Sequence, residues 1–368
     1  MTIIPQASYC ESTNNQPPSA DARAASNYAL SSSDDSPQLT DSLNALLDHV
    51  QFLSTDALTH FRYADSGPGK VTARDEYYKI STRMQINLVG DGTTYLQLRG
   101  ESGRGFNSST DYTGLGLHNA QWSFNLKSLY LGQKIGNHME AQAGGIEFDR
   151  GAGSEATSAD NDGYLEGYRL TYAGLGHNLP DRVSVTIGYV GDFTQPNVFA
   201  RLPHMGDENY VQVMAAKRLG KNRDLSAEYN SLQGIRYTRE AFRWQKIQTP
   251  IVNDFSLEAL TRASDNPTFG WFSTLGRNLP TKMPVRAGVF YSDMPKGMFQ
   301  YGSVQVLQNG DFYALGKRIG PSLTITPFKN FDLSLMGGER LDNTPGTRYR
   351  GQIQAHYQLA SLLNRVVR

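Results

Sequence analysis

Ten basic residues fall on one parity of segments that alternate polar and apolar side chains: Lys79, Arg83, Arg99, Lys127, Arg169, Arg218, Arg262, Arg286, Arg340 and Arg350. Fewer acids share that parity, namely Glu101, Glu228, Glu258 and Asp332. Rows of guanidinium and ammonium groups along a wetted surface attract anions, so this pattern predicts selection by charge. Reaction chemistry finds no comparable frame. Histidines at 49, 60, 118, 138, 177, 204 and 356 stand without H-E-x-x-H or another paired metal spacing, and no G-x-S-x-G elbow occurs. His356 could imitate one half of a Ser/His pair acting on lipid, but it lies on the polar parity, whereas lipid would meet the other. Gly100–Gly105 is glycine-rich yet lacks P-loop spacing and reads as a loop tip. Asp149, Glu155, Asp160 and Asp162 cluster in a loop without the D-x-D-x-D-G order of a calcium site. The expectation is no catalytic residue, no metal, no cofactor and no enzyme.

The elements that would position those bases are strands. In Lys79–Leu88, Ile80, Met84, Ile86 and Leu88 share one parity while Lys79, Ser81, Arg83, Gln85 and Asn87 share the other. Residues of period two stand on opposite faces of a strand. The same reading applies to Trp122/Phe124/Leu126, Val183/Val185/Ile187/Tyr189, Val211/Val213/Ala215 and Leu225/Ala227/Tyr229. It applies again to Phe255/Leu257/Ala259, Val285/Ala287/Val289/Tyr291, Phe331/Leu333/Leu335 and Tyr349/Gly351/Ile353/Ala355/Tyr357. Some 16–18 such segments of about 9–11 residues match the length of tilted membrane-spanning strands. The polar parity is uniformly long and charged, as a water-filled lumen requires. The apolar parity often ends in Tyr, Trp or Phe, as an interfacial girdle does, and Trp122, Trp244 and Trp271 read as girdle or packing residues.

Composition agrees with an all-β chain. The 368 residues include 20 Tyr, 16 Phe and 36 Gly, with a single Cys, Cys10, that can form no internal disulfide. Lys+Arg and Asp+Glu both number 35, which argues against a nucleic-acid partner. Mean hydropathy is −0.48, and no apolar run is long enough for a transmembrane helix. Residues 1–45 are rich in Ser, Asn, Asp and Pro and are predicted to be a disordered tail, with a barrel over 46–368. The start lacks the basic and apolar regions of a secretion signal, which implies a removed leader or a late start. Leu43–Leu53 reads as a short amphipathic helix.

Short turns are predicted at Val89–Gly92, Lys134–Asn137, Leu219–Lys221 and Ile319–Pro321, and long loops near 103–118, 149–163, 192–208 and 293–310. Any of the last three could fold into a lumen as a constriction. Leu175–Pro180 echoes Leu275–Pro280, and Lys217–Gly220 echoes Lys317–Gly320, which suggests two equivalent blocks of hairpins. Three stretches then resemble the bacterial outer-membrane porins of the alginate-export-like kind. They are the entry Leu53–Tyr63, the hairpin Gly144–Arg150 through Asp160–Gly167, and the closing strand Tyr349–Leu359. The chain departs from that pattern in ending Leu363–Arg368 without a terminal aromatic, which leaves room for a further strand.

The resemblance implies a transmembrane antiparallel up-and-down barrel of about 16–18 strands in a bacterial outer membrane. Its partners would be membrane lipid, lipopolysaccharide and a small hydrophilic solute, anionic or an acidic saccharide by the charges above. Two alternatives compete with a diffusion channel. One is a non-conducting barrel acting as adhesin or anchor through its long loops, and the other a soluble all-β carbohydrate binder.

Overall fold

The computed structural model describes residues 49–368 apart from 69, 106–121, 154–164, 175–178, 192–196, 264–266, 296–297, 299, 302–303, 306–315, 344–347, 361–362 and 364–368. The expected tail at 1–45 lies outside the described residues. Sixteen strands close into one antiparallel barrel. Its first half is β1 (Val50–Asp65), β2 (Val71–Asn87), β3 (Thr94–Gly105), β4 (Trp122–Ile135), β5 (Met139–Ile146), β6 (Leu165–Ala173), β7 (Arg182–Val190) and β8 (Tyr210–Arg218). Its second half is β9 (Arg223–Leu232), β10 (Ile235–Trp244), β11 (Asp254–Arg262), β12 (Thr268–Leu279), β13 (Val285–Met294), β16 (Gly316–Phe328), β17 (Phe331–Arg340) and β18 (Tyr349–Gln358). A small hairpin of β14 (Gln300–Tyr301) and β15 (Val304–Gln305) stands between β13 and β16. Among the described residues no helix is long and apolar enough to cross a membrane.

Closure is made by β1, which pairs with β18 from Asp56↔Gln358 to Asp65↔Tyr349, so no strand after Tyr349–Gln358 is needed. The predicted helix at Leu43–Leu53 gives way where it is described: Val50, Gln51 and Phe52 pair with Ile86, Gln85 and Met84 of β2. The neighbouring strand offers an unsatisfied ladder there, and backbone pairing outweighs a weak helical pattern.

Side chains follow the parity read from sequence, with the polarity of a soluble protein reversed. Phe61, Ile80, Leu131, Tyr168, Ile187, Val213, Leu225, Leu257, Val289, Ile319, Leu335 and Ile353 are exposed on the outer wall. Glu101, Lys127, Arg169, Gln212, Glu228, Arg239, Glu258, Arg318, Arg350 and Gln354 are buried inside. Apolar surface facing outward in this way suits hydrocarbon. Aromatic contacts fringe both rims of the outer wall. Tyr63–Tyr349 (6.4 Å) and Trp271–Tyr291 (4.9 Å) lie at one rim, and Phe242–Phe255 (6.3 Å) and Phe331–Tyr357 (6.5 Å) at the other.

Connections sort by end. Residues 106–121, 147–164, 191–209 and 295–315 all leave the rim where β1 ends, while the opposite rim carries turns such as 136–138, 219–222 and Lys329–Asn330. At the long-loop rim the Gln233–Gly234 turn is tight, with positive φ at both residues (48° and 88°), the geometry that matches strand twist in two-residue hairpins. The turn expected at Ile319–Pro321 is instead inside β16, where Val289↔Pro321 and Tyr291↔Ile319 pair; Pro321 punctuates nothing because a strand can absorb one missing donor. This also undoes half of the internal echo. Lys217–Arg218 ends β8 at the short-turn rim, whereas Lys317–Arg318 opens β16 at the long-loop rim. The two are similar in sequence and opposite in place.

Candidate functional site

The interior charges of β2, β3 and β4 converge on two carboxylates. Glu101 of β3 accepts Lys79 Nζ at 3.3 Å, Arg99 Nη2 at 2.7 Å and Lys127 Nζ at 2.8 Å. Glu147, one residue past β5, pairs with Arg83 and, at 3.2 Å, with Arg99 Nη1. Register brings them together: Ser81↔Glu101 and Arg83↔Arg99 are facing pairs of β2 and β3. Lys127 arrives by a different device. Arg99 pairs with Ser128 and Gly100 with Leu126, so Lys127 is the extra residue of a β-bulge. Lys127 and Ser128 are both fully buried: alternation from Asn125 sends Lys127 inward, and the bulge brings Ser128 to the same side, opposite Arg99.

The chain leaving β5 turns inward and lies along the inner wall. Glu147 also takes Arg169, which donates to its carbonyl oxygen, while Arg169 Nε holds Thr186 Oγ1 at 2.9 Å. Phe148 inserts into an apolar interior patch of Tyr130, Ile146, Leu165, Val190 and Tyr210, with its ring 5.4 Å from Tyr210. Asp149 pairs with Arg182 (2.6 Å) and accepts Ser184, and its carbonyl accepts Gln212 Nε2 at 2.9 Å. Farther on, Ser226 Oγ holds the Ala152 carbonyl at 3.2 Å. Residues 147–153 are therefore a lumen-folded segment, so one of the three long loops named above does enter the barrel interior. Glu155, Asp160 and Asp162 lie outside the described residues. Burial pushes the Glu147 carboxyl up, but the Arg83 and Arg99 guanidiniums overcompensate and hold it at about 2, so it is ionised.

All ten sequence-predicted bases fall on the interior parity, but they do not form one cluster. Lys79, Arg83, Arg99 and Lys127 share the network just described. Arg169 sits beside it, anchoring 147–153. Arg286 pairs with Asp254 at 2.6 Å on the far wall toward the short-turn rim. Arg218 is at that rim, largely exposed and 3.7 Å from Asp224. Arg262 ends β11 at the long-loop rim, facing Tyr237. Arg340 faces Arg318 across β16 and β17, and Arg350 faces Ala64 across β18 and β1. Sequence reading missed Arg62, Arg182, Arg239 and Arg318 inside, and among acids Asp56, Glu140, Glu147, Asp149 and Asp254. Alternation could have found Arg62, Arg182, Arg239 and Arg318, while Glu147 and Asp149 stand in no strand and carry no parity. The charge excess is thus smaller than ten against four, because most of these bases meet an acid.

Other side chains singled out from sequence resolve simply. His356 Nε2 lies 2.9 Å from Asp56 Oδ1 on the interior face, with no serine in that contact. His60 Nδ1 bonds the Tyr77 hydroxyl at 2.6 Å. Trp244 and Trp271 lie on the outer parity, and Arg223 stacks over Trp244 at 5.7 Å. Among the described residues no group of His, Cys, Asp or Glu could hold a metal.

Neither a protein-family model nor a curated protein matches the chain. Solved structures do. An OmpF porin of Salmonella typhi, determined in complex with daunomycin, is 13% identical over 84% of this chain and 97% of its own, with a TM-score of 0.53. A multiply substituted porin of Rh. blastica is 10% identical over 84% and 99%, with a TM-score of 0.52. A second variant of that porin gives 11%, 84%, 99% and 0.50. At these identities the likeness is one of fold: the chain has the sixteen-strand barrel architecture of bacterial porins.

Proposed function

We propose that the protein is a passive outer-membrane channel for small hydrophilic solutes, with a preference for anions. The observation that carries the reading is the reversed polarity of a closed barrel whose interior concentrates arginine and lysine around a lumen-folded segment. Pores lined by such groups raise the local concentration of anions and repel cations. Lys79, Arg83, Arg99 and Lys127 gather around Glu101 and Glu147 beside that segment and put guanidinium and ammonium groups along the path. Arg169, Arg218, Arg262, Arg286, Arg340 and Arg350 are proposed to line the rest of the path. Acidic saccharides are a natural solute class, because a carboxylate suits the guanidinium fork; this is all that the reading retains of the alginate-export-like resemblance. Lipid would surround the outer wall, with lipopolysaccharide around the long-loop rim. No reaction and no nucleic acid enter the mechanism.

A second reading, a non-conducting anchor, draws on one observation: His60, Gln354 and Arg318, all on the interior parity, are 0–2% exposed. Planar-bilayer recording decides between them. The channel reading expects steps of conductance whose reversal potential in a potassium chloride gradient favours chloride. A folded, heat-modifiable barrel with no conductance would favour the anchor, and cation preference would remove the anionic solute.

A further inference from the structure

The loop 191–209 between β7 and β8 does not stand away from the barrel; its second half is strapped onto the outer wall. Asn209 clips its base, donating to the Val190 carbonyl (3.0 Å) and accepting the Val190 amide (2.8 Å). Asn197 caps a short 3-10 turn, Val198–Ala200, by accepting the Phe199 amide at 3.1 Å, and Leu202–His204 forms a second. Val198 is fully buried against Gly145, where any β-carbon would collide with it, and the His204 ring stacks on Tyr189 at 4.6 Å. Gly145, Glu166 and Tyr189 are facing residues of β5, β6 and β7 on the outer parity. The strap therefore covers a wall position where Glu166 would otherwise meet hydrocarbon, and the Arg201 charge acts on that carboxylate.

Arg201 also reaches the backbone of the bulge. It is 2% exposed, and its Nη2 donates to the Lys127 carbonyl at 3.2 Å. The ladder of β4 with β5 ends at Leu129↔Gly145, because the chain turns into the lumen after Ile146. The peptide that accepts Arg201 lies just beyond that last pair. The same residue sends its ammonium inward to Glu101. One residue thus joins the outer strap to the interior network.

We propose that Arg201, outside the barrel, is a positioning residue for ion selection inside it: by holding the bulged peptide it keeps the Lys127 ammonium in the lumen. Relaxing the bulge by one residue re-sorts the side chains beside it, and where Ser128 and Tyr130 keep their inward places Lys127 turns outward. The inference rests on the conducting role proposed above.

The test is a double-mutant cycle on anion-to-cation permeability ratio, using Arg201→Met, Lys127→Met and the pair, in the full chain refolded in detergent and recorded in planar bilayers. Lys127→Met removes one interior charge and is predicted to lower the ratio about five- to tenfold, from a unit charge acting through water at 6–8 Å on anion and cation in opposite directions. Arg201→Met should lower it in the same direction by most of that amount, the pair should show no further loss, and Arg201→Lys, which keeps a donor, should restore it. If Arg201→Met does not give a heat-modifiable barrel, Val198→Ser, which unseats the strap, carries the same expectation. A normal ratio in folded Arg201→Met beside a lowered ratio in Lys127→Met overturns the inference and leaves the channel intact. Normal ratios in both overturn it and place the network off the ion path. Absence of conductance in the unaltered protein removes the channel reading itself, and the inference with it.

Discussion

Replacing Glu147 by Gln tests the interior network most directly. Its carboxyl lies at about 2 instead of the ordinary 4.5. A shift of that size corresponds to about 3 kcal/mol favouring the ionised form. Because the folded value is depressed, this stabilisation is fully present above pH ~4.5 and is lost as pH falls from there through ~2. At neutral pH the substitution frees Arg83 and Arg99 from a shared negative charge. A permeating anion 6–8 Å away in water is then relieved of about 0.5–0.7 kcal/mol of repulsion while a cation loses the same attraction, and the anion-to-cation ratio rises about five- to tenfold. Salt screens this, so recordings belong at low ionic strength. The assay is reversal potential across a potassium chloride gradient, for both proteins, from pH 7 to pH 3. The difference between them should persist across that whole range, because in the folded barrel Glu147 gives up its charge only near pH 2, which separates it from carboxylates that titrate at ordinary values. An unchanged ratio in Glu147→Gln at pH 7, or a difference already gone at pH 5, would refute the argument.

Phe148→Ala should loosen residues 147–153 from their apolar seat by about 3 kcal/mol while leaving the barrel folded; larger or noisier conductance steps with an unchanged gel shift would report it. Gly320→Ala places a β-carbon against the Gly337 carbonyl and the Phe290 ring, so the heat-modifiable band should weaken or vanish. Gly90→Ala meets nothing and serves as the silent control. Boiling itself should change the electrophoretic mobility of the unaltered protein, since a closed barrel has no open edge for detergent to enter; identical mobility would contradict closure.

Period two was the readable part of this chain. Wherever a strand is regular, as in Val183–Tyr189 or Phe331–Leu335, alternation placed its faces, because a membrane-facing wall tolerates no register slip. What stayed hidden obeys no period. A single bulge at Lys127 shifts the inward set from Asn125 and Lys127 to Ser128 and Tyr130, and no composition signal announces it. Glu147 and Asp149 are placed by tertiary pairing with arginines and serines distant in sequence. Pro321 looked like a turn because proline usually is one, yet the strand context prevailed.

These departures gather at one place in the wall, and each creates the need for the next. Once the chain turns inward after Ile146, β4 keeps β3 but has no β5 partner beyond Leu129, and a wall otherwise apolar outside acquires Glu166 there. Inside the same stretch, polarity also reverses: Ile146, Leu165 and Val190 face the lumen to receive Phe148. The strap answers the outer half of the problem with Val198 on Gly145 and Arg201 on the Lys127 carbonyl. The Glu101–Arg99–Glu147 chain answers the inner half. Sequences that break a local rule tend to do so where function asks for it. Here the broken alternation, the abandoned ladder and the buried charges coincide with the segment folded into the barrel interior. Cutting the strap from the wall should therefore disturb ion selection more than barrel stability, and the reverse ordering would mean that the irregular region serves closure alone.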